Sequence, residues 1–221
     1  MTQPLTLVLF DVDGTLVDSQ AHIYAAMEIA FGNAGLAVPA RDDVLSIVGL
    51  SLPEAFARLC PDHDHKTILD LVEGYKAAFA HHRMKSVPSP LFPGAKDVLN
   101  HMATQDHILL GVATGKSRRG LNHVLDAHDL KSTFVTEQVA DFHPSKPHPA
   151  MALEAMAESG ADRGIMIGDT SFDMEMGKAA KLATIGVTWG YHPTSVLSSH
   201  ADYLIHDYRE LWPCIQNILG D

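Results

Sequence analysis

The chain has 221 residues, is 46% hydrophobic and 19% charged, and carries a formal net charge of −11 at neutral pH. That length and apolar content suffice for a full core, which excludes collagen-like, disordered and small disulfide-stapled classes and leaves one domain with a large insertion or two modest domains. An acidic chain with no basic run is a poor partner for nucleic acid.

Leu5-Thr6-Leu7-Val8-Leu9-Phe10 is a continuous apolar run that reads as a fully buried strand, the kind a parallel sheet requires. Comparable runs follow at residues 107–113, 164–167 and 183–188, with a weaker one at 201–205 and a short one at Thr133-Phe134-Val135-Thr136. Between them the apolar period turns helical: Leu121, Val124, Leu125 and His128; the stretch Met151–Ser159 behind Pro149; Met174–Leu182; and Leu211, Ile215, Ile218 and Leu219. Strands alternating with helices predict an α/β fold with a doubly wound parallel sheet.

The stretch from Ser19 to Pro88 departs from this rhythm. It has no strand-like run but three helical stripes, on Ile23, Met27, Ala30 and Phe31, on Leu52, Ala55, Phe56 and Leu59, and on Ile68, Leu71, Val72, Tyr75 and Phe79. About seventy residues make a small helical domain. The expected division is therefore residues 1–18 with 89–221 as an α/β core and residues 19–88 as an inserted all-helical cap. The Pro-rich 87–94 segment would serve as the linker. The cap would lie over the C-terminal end of the first strand, where open α/β sheets bind ligands.

The chemistry-bearing residues sit at strand ends. The first strand runs into Asp11-Val12-Asp13-Gly14-Thr15, two carboxylates whose repulsion a cation or a raised pKa would relieve; Asp-Gly also marks ordinary turns, so the pair alone leaves both readings open. The second ends at Thr114-Gly115-Lys116, where a hydroxyl and a glycine N–H suit either a phosphate or a helix cap. Residues 111–117 imitate a Walker A loop but hold three residues between the glycines where four are needed. Lys146, flanked by Ser145 and Pro147 in a Pro-rich loop, reads as an ammonium aimed from a stiff backbone or, taken alone, as a solvated loop lysine. Gly168-Asp169-Thr170-Ser171-Phe172-Asp173 brings two acids around a strand-to-helix turn, fitting a hard cation with oxygen ligands or a helix cap with a first-turn acid. The histidines, including His63 with His65 and His143 with His148, lack the spacing of a helix-borne zinc pair and read as surface residues.

Asp-x-Asp-Gly-Thr, Thr-Gly, Lys-Pro and Gly-Asp-x-x-x-Asp, in that order at successive strand ends, resemble the haloacid dehalogenase superfamily over the whole chain. Residues 11–19 and 114–117 are most similar to its phosphoglycolate-phosphatase-like branch. The resemblance implies a phosphatase with Asp11 as nucleophile and Asp13 as general acid and base. It further implies Mg²⁺ held by Asp11, the Asp13 backbone carbonyl and Asp169, with Asp173 in direct contact or one shell out, and phosphoryl oxygens held by Thr114, Gly115 and Lys146. The expected substrate is a small phosphorylated metabolite, 2-phosphoglycolate first. Sugar phosphatase or phosphomutase, nucleotidase and pyrophosphatase activities remain as alternatives. An acid at position 13 argues against the superfamily's dehalogenases, and the large insertion argues against a phospho-aspartate signalling switch. The turn Gly49-Leu50-Ser51 between two cap helices is expected to face the site and select the substrate.

Two distant cysteines, Cys60 and Cys214, fit a reducing compartment. The start Met1-Thr2-Gln3-Pro4 has no positive leader, and the apolar run after it is too short to span a membrane. A cytoplasmic protein with no membrane partner is therefore expected, its oligomeric state unread.

Overall fold

A computed structural model describes residues 3–85 and 87–220; Met1, Thr2, Ser86 and Asp221, which fall within the expected core and cap, lie outside them. The strands are β1 (Thr6–Phe10), β2 (Ile108–Thr114), β3 (Thr136–Val139), β4 (Arg163–Gly168), β5 (Ala183–Val187) and β6 (Tyr203–Ile205), in one sheet of order β3-β2-β1-β4-β5-β6. All pairs are parallel, with Phe10 level with Val112 on one side and Ile167 on the other. The order reverses at β1, so the crevice of a doubly wound sheet opens where β1, β2 and β4 end.

Side chains of β1 alternate, as strand geometry requires. Val8 and Phe10 join α5 (Ala95–Met102), α6 (Arg118–Ala127) and α10 (Leu211–Leu219) in one core layer, where Leu99, Leu121, Leu211 and Ile215 are buried. Leu7 and Leu9 face the other way, onto Met151 and Ala155 of α7 (Ala150–Ser159) and Met176 of α8 (Ser171–Ala179). A short α9 (Thr194–His200) lies between β5 and β6.

A third apolar cluster belongs to α1 (Gln20–Asn33), α2 (Arg41–Ser46), α3 (Leu52–Leu59) and α4 (His65–Lys85), where Met27, Phe31, Val44, Phe56, Leu71 and Tyr75 are buried. The rings of Phe31 and Phe56 stack at 6.0 Å, and Tyr75 meets Phe56 edge-on at 5.9 Å. Phe172 of α8 enters this cluster, and Tyr191 packs against it, so the helical layer rests on the sheet's C-terminal edge. Its two connections run side by side: the Asp18 N–H donates to the Pro90 carbonyl and the Phe92 N–H to the Leu16 carbonyl, both at 2.9 Å. Among the described residues no helix is long and apolar enough to cross a membrane.

The short strand expected at residues 133–136 instead occupies Thr136–Val139, pairing Gly111 with Thr136. Val135 is exposed, and β3, an edge strand, carries polar side chains, Thr136 and Gln138, that both donate to Glu158. Apolar runs therefore misplace it. The helices α2, α5 and α9 also lie outside the stripes read from the sequence.

Candidate active site

The ends of β1, β2 and β4 bring the predicted residues to one place. Asp11 follows β1, its N–H donating to the Ile167 carbonyl at 2.9 Å, and is almost fully buried. Its Oδ1 accepts from Lys146 Nζ at 2.6 Å, and the same ammonium reaches Asp173 Oδ1 at 2.6 Å. Asp11 Oδ2 is buried without a hydrogen-bond partner among the described residues. Asp169 accepts from the Thr15 hydroxyl and from the Tyr191 N–H, both at 2.8 Å. Asp173 both closes a capping box and holds Lys146: its Oδ2 accepts from the Thr170 N–H at 3.1 Å and hydroxyl at 2.7 Å, while its Oδ1 is left for the ammonium. Asp173 therefore caps α8 through one oxygen and pairs with Lys146 through the other.

Electrostatics follow from this crowding. Burial pushes the Asp11 carboxyl up to about 7 although Lys146 pulls it back. Burial, with the charges of Asp173 and Asp11, raises Asp169 well above the carboxylate range. Burial alone would lower Lys146, but Asp11 and Asp173 outweigh it and hold the ammonium charged above its ordinary value. Carboxylate oxygens of Asp11, Asp169 and Asp173 lie within 4.8 Å of one another. Asp11 and Asp173 share the Lys146 ammonium, Asp169 has none, and the donor set is all oxygen. That arrangement fits a hard divalent cation.

Asp11, Asp13, Thr114, Gly115, Gly49 and Leu50 line a cavity of about 860 Å³ between sheet edge and helical layer. Lys146, Asp169 and Asp173 are sealed beneath it. Thr114 is buried, and its Oγ1 accepts from the Lys116 N–H at 3.2 Å. The loop 49–51 does reach the sheet edge, but its residues divide. Gly49 and Leu50 line the cavity, whereas the Ser51 N–H donates to Ser145 Oγ at 2.8 Å beside it.

Several site residues were not singled out by sequence. Lys116 Nζ donates to both oxygens of Asp13 at 2.7 Å, and the Ser19 hydroxyl donates to Asp13 Oδ1. Ser19 in turn meets the Tyr191 hydroxyl at 2.9 Å. His192 ties the two layers together: its Nδ1 accepts from the Ser171 N–H at 3.1 Å, so its Nε2 donates to the Ser46 carbonyl at 3.0 Å. Burial lowers the pKa of that imidazole, in keeping with a neutral ring. Thr15, Thr170 and Lys116 adjoin the motifs and could have been found there. Ser19 closes the 11–19 stretch, but its partner Tyr191 lies 172 residues away and carries no local signal.

The family model for haloacid dehalogenase-like hydrolases matches residues 8–187. The chain is 37% identical to the probable phosphatase IndB of Dickeya dadantii over 91% of this chain and 89% of that one. It is 30% identical to a phosphoglycolate phosphatase of Agrobacterium fabrum over 97% and 94%. A haloacid dehalogenase-like family hydrolase of Streptococcus pneumoniae shares the fold at a TM-score of 0.83 and 24% identity, over 96% of this chain and 99% of that one. The chain belongs to the haloacid dehalogenase-like hydrolases. It is an enzyme of that family's phosphatase type.

Proposed function

We propose that the protein hydrolyses small phosphomonoesters with Mg²⁺ through an aspartyl-phosphate on Asp11, with 2-phosphoglycolate as the first substrate to test. The observation that carries this reading is Asp11 itself, a residue of the cavity lining: Oδ1 is fixed by Lys146, while the buried Oδ2 has no hydrogen-bond partner among the described residues and keeps its lone pairs for phosphorus. The substrate comes from the Agrobacterium fabrum relative, a phosphoglycolate phosphatase.

Asp11, Asp169, Asp173 and the Asp13 carbonyl would hold the cation, and bound Mg²⁺ would offset the charge of carboxylates and phosphate together. Asp11 attacks phosphorus, the bond to the leaving oxygen breaks, and Asp13 gives that oxygen its proton. Asp13, now a carboxylate, takes a proton from water. The hydroxyl attacks phosphorus, the bond to Asp11 breaks and phosphate departs. Thr114 and the Gly115 N–H orient the phosphoryl oxygens, and Lys146, read from the sequence as a third phosphoryl contact, holds Asp11 through Oδ1 and offsets charge at the site. The helical layer acts as a cap that excludes water and reads the leaving group.

The test is phosphate release across a panel of about a hundred metabolites, with Mg²⁺ and with EDTA, alongside intact-mass detection of a phosphorylated Asp11. Release from 2-phosphoglycolate that is lost in EDTA and in Asp11→Asn is the expected result. Turnover by Asp11→Asn, or a long-lived phospho-Asp11 without repeated turnover, overturns it.

A further inference from the structure

Lys116 directly follows Thr114-Gly115, and the reaction above gives it no part. Two of its ammonium's three donors go to the oxygens of Asp13 at 2.7 Å each. The centroid of the Phe79 ring, on α4, lies 5.5 Å from Nζ on the helical-layer side. The side chain is 9% exposed and lines the cavity. Its backbone is fixed by Thr114 Oγ1 and by the Ala140 N–H, which donates to the Lys116 carbonyl at 3.1 Å, so only the stem can adjust. Other cations at the cavity stand differently: Lys76 is exposed and pairs with Glu73, Arg118 is held by Glu137, and Arg119 is exposed.

We infer that Lys116 is a specificity residue that binds a carboxylate on the leaving alcohol, selecting phosphomonoesters whose carboxylate sits on the carbon bearing the leaving oxygen. This rests on the reading of Asp13 as the acid at that oxygen. An acid must approach the atom it serves to about 2.6–3.2 Å. Lys116 Nζ, 2.7 Å from both oxygens of that acid, therefore lies within about 6 Å of the leaving oxygen. A carboxylate one carbon away from the leaving oxygen lies roughly 3 Å from it, within reach of the same ammonium. The remaining donor of Lys116 meets it in a low-dielectric pocket walled by Phe79, where a charge-assisted hydrogen bond is strong. A neutral leaving group leaves that donor unmatched.

The experiment compares kcat/KM for 2-phosphoglycolate and its neutral amide, 2-phosphoglycolamide, in the unaltered enzyme, Lys116→Met and Lys116→Arg. The unaltered enzyme should favour the acid by roughly 10–100-fold, the size of one charge-assisted hydrogen bond. Lys116→Met should bring the two substrates within about threefold, and Lys116→Arg should keep most of the preference. If Lys116→Met lowers both equally, or neither, the ratio stands and Lys116 serves Asp13 alone, which overturns the inference. Calorimetric binding of both compounds to Asp11→Asn, with and without Lys116→Met, gives the same ratio without turnover. Should the unaltered protein hydrolyse neither compound, 2-phosphoglycolate fails as substrate while the calorimetry still decides Lys116. Lys116→Gln replaces Lys116→Met if the latter does not fold.

Discussion

Gly115 lies directly beneath the carbonyl of Gly49: a Cβ at position 115 would stand 2.6 Å from that oxygen. The loop between α2 and α3 is thus seated on the loop after β2, and glycine is what lets the two backbones touch. Gly115→Ala should lift the helical-layer loop, costing about 1–3 kcal/mol in a denaturant titration and raising KM for 2-phosphoglycolate. Leu50 is the better probe of selection. Gly49 sits at φ +99, where any side chain is strained, whereas Leu50 lines the cavity in ordinary packing. Leu50→Val should reorder preference across the substrate panel. A uniform change, or none, removes the loop from selection.

Lys146 is the charge that lets Asp11 and Asp173 share the interior. Lys146→Met leaves the buried carboxylates with no ammonium among them, and breaking such a pair costs about 3–5 kcal/mol. Denaturation should show that loss, and phosphate release should fall by at least about 10³, since the nucleophile is no longer held in line. Added Mg²⁺ should recover part of the stability but little of the rate. A variant as stable and active as the unaltered protein would remove Lys146 from the site.

What the sequence disclosed here is local. Each strand-end motif is a few consecutive residues, so Asp11, Thr114, Lys146, Asp169 and Asp173 could be placed once the strands were found. The register of β3 could not, because an edge strand bonded to Glu158 does not need apolar side chains. The stripe Ala95, Val98, Leu99 and Met102 of α5 spans only eight residues directly behind a Pro-rich linker, too short a period to stand out from irregular structure. The contacts Lys116–Asp13 and Ser19–Tyr191 join distant parts of the chain, and no spacing rule reaches that far.

The raised carboxyls would give a bound cation a pH signature. Between its ordinary 3.8 and about 7, Asp11 keeps in the folded protein a proton that the unfolded chain has released. The folded state then binds more protons, so this contribution to stability is full below the unfolded value and is lost as pH rises through about 7. A cation bound to the ionised cluster reverses that loss. Mg²⁺ at about a hundred times its Kd adds ~2.7 kcal/mol, which for a chain of this size is a Tm gain of roughly 5–10 °C. Thermal melts with Mg²⁺ and with EDTA should show the larger gain near pH 8, and a clearly smaller one near pH 5.5 where protons compete. In Asp11→Asn the pH dependence of the gain should shrink. An equal gain at both pH values would place the cation elsewhere.

On the proposed mechanism, Asp13 separates the two halves of the reaction. Asp13→Asn keeps Asp11 on Lys146 but removes the proton carrier, so steady-state turnover of 2-phosphoglycolate should fall by ~10²–10⁴, or about 3–5 kcal/mol of barrier. A substrate with a good leaving group, such as p-nitrophenyl phosphate, needs little protonation to depart, and its first step should survive better. The second step still needs a base for water whatever the leaving group was. The variant should therefore release one equivalent of p-nitrophenol quickly and then stall, with a phosphoryl mass increment on the Asp11 peptide that the unaltered enzyme shows only transiently. Equal slowing of both phases, with no phosphoenzyme, would mean that Asp13 positions the site through Lys116 and Ser19 and carries no proton.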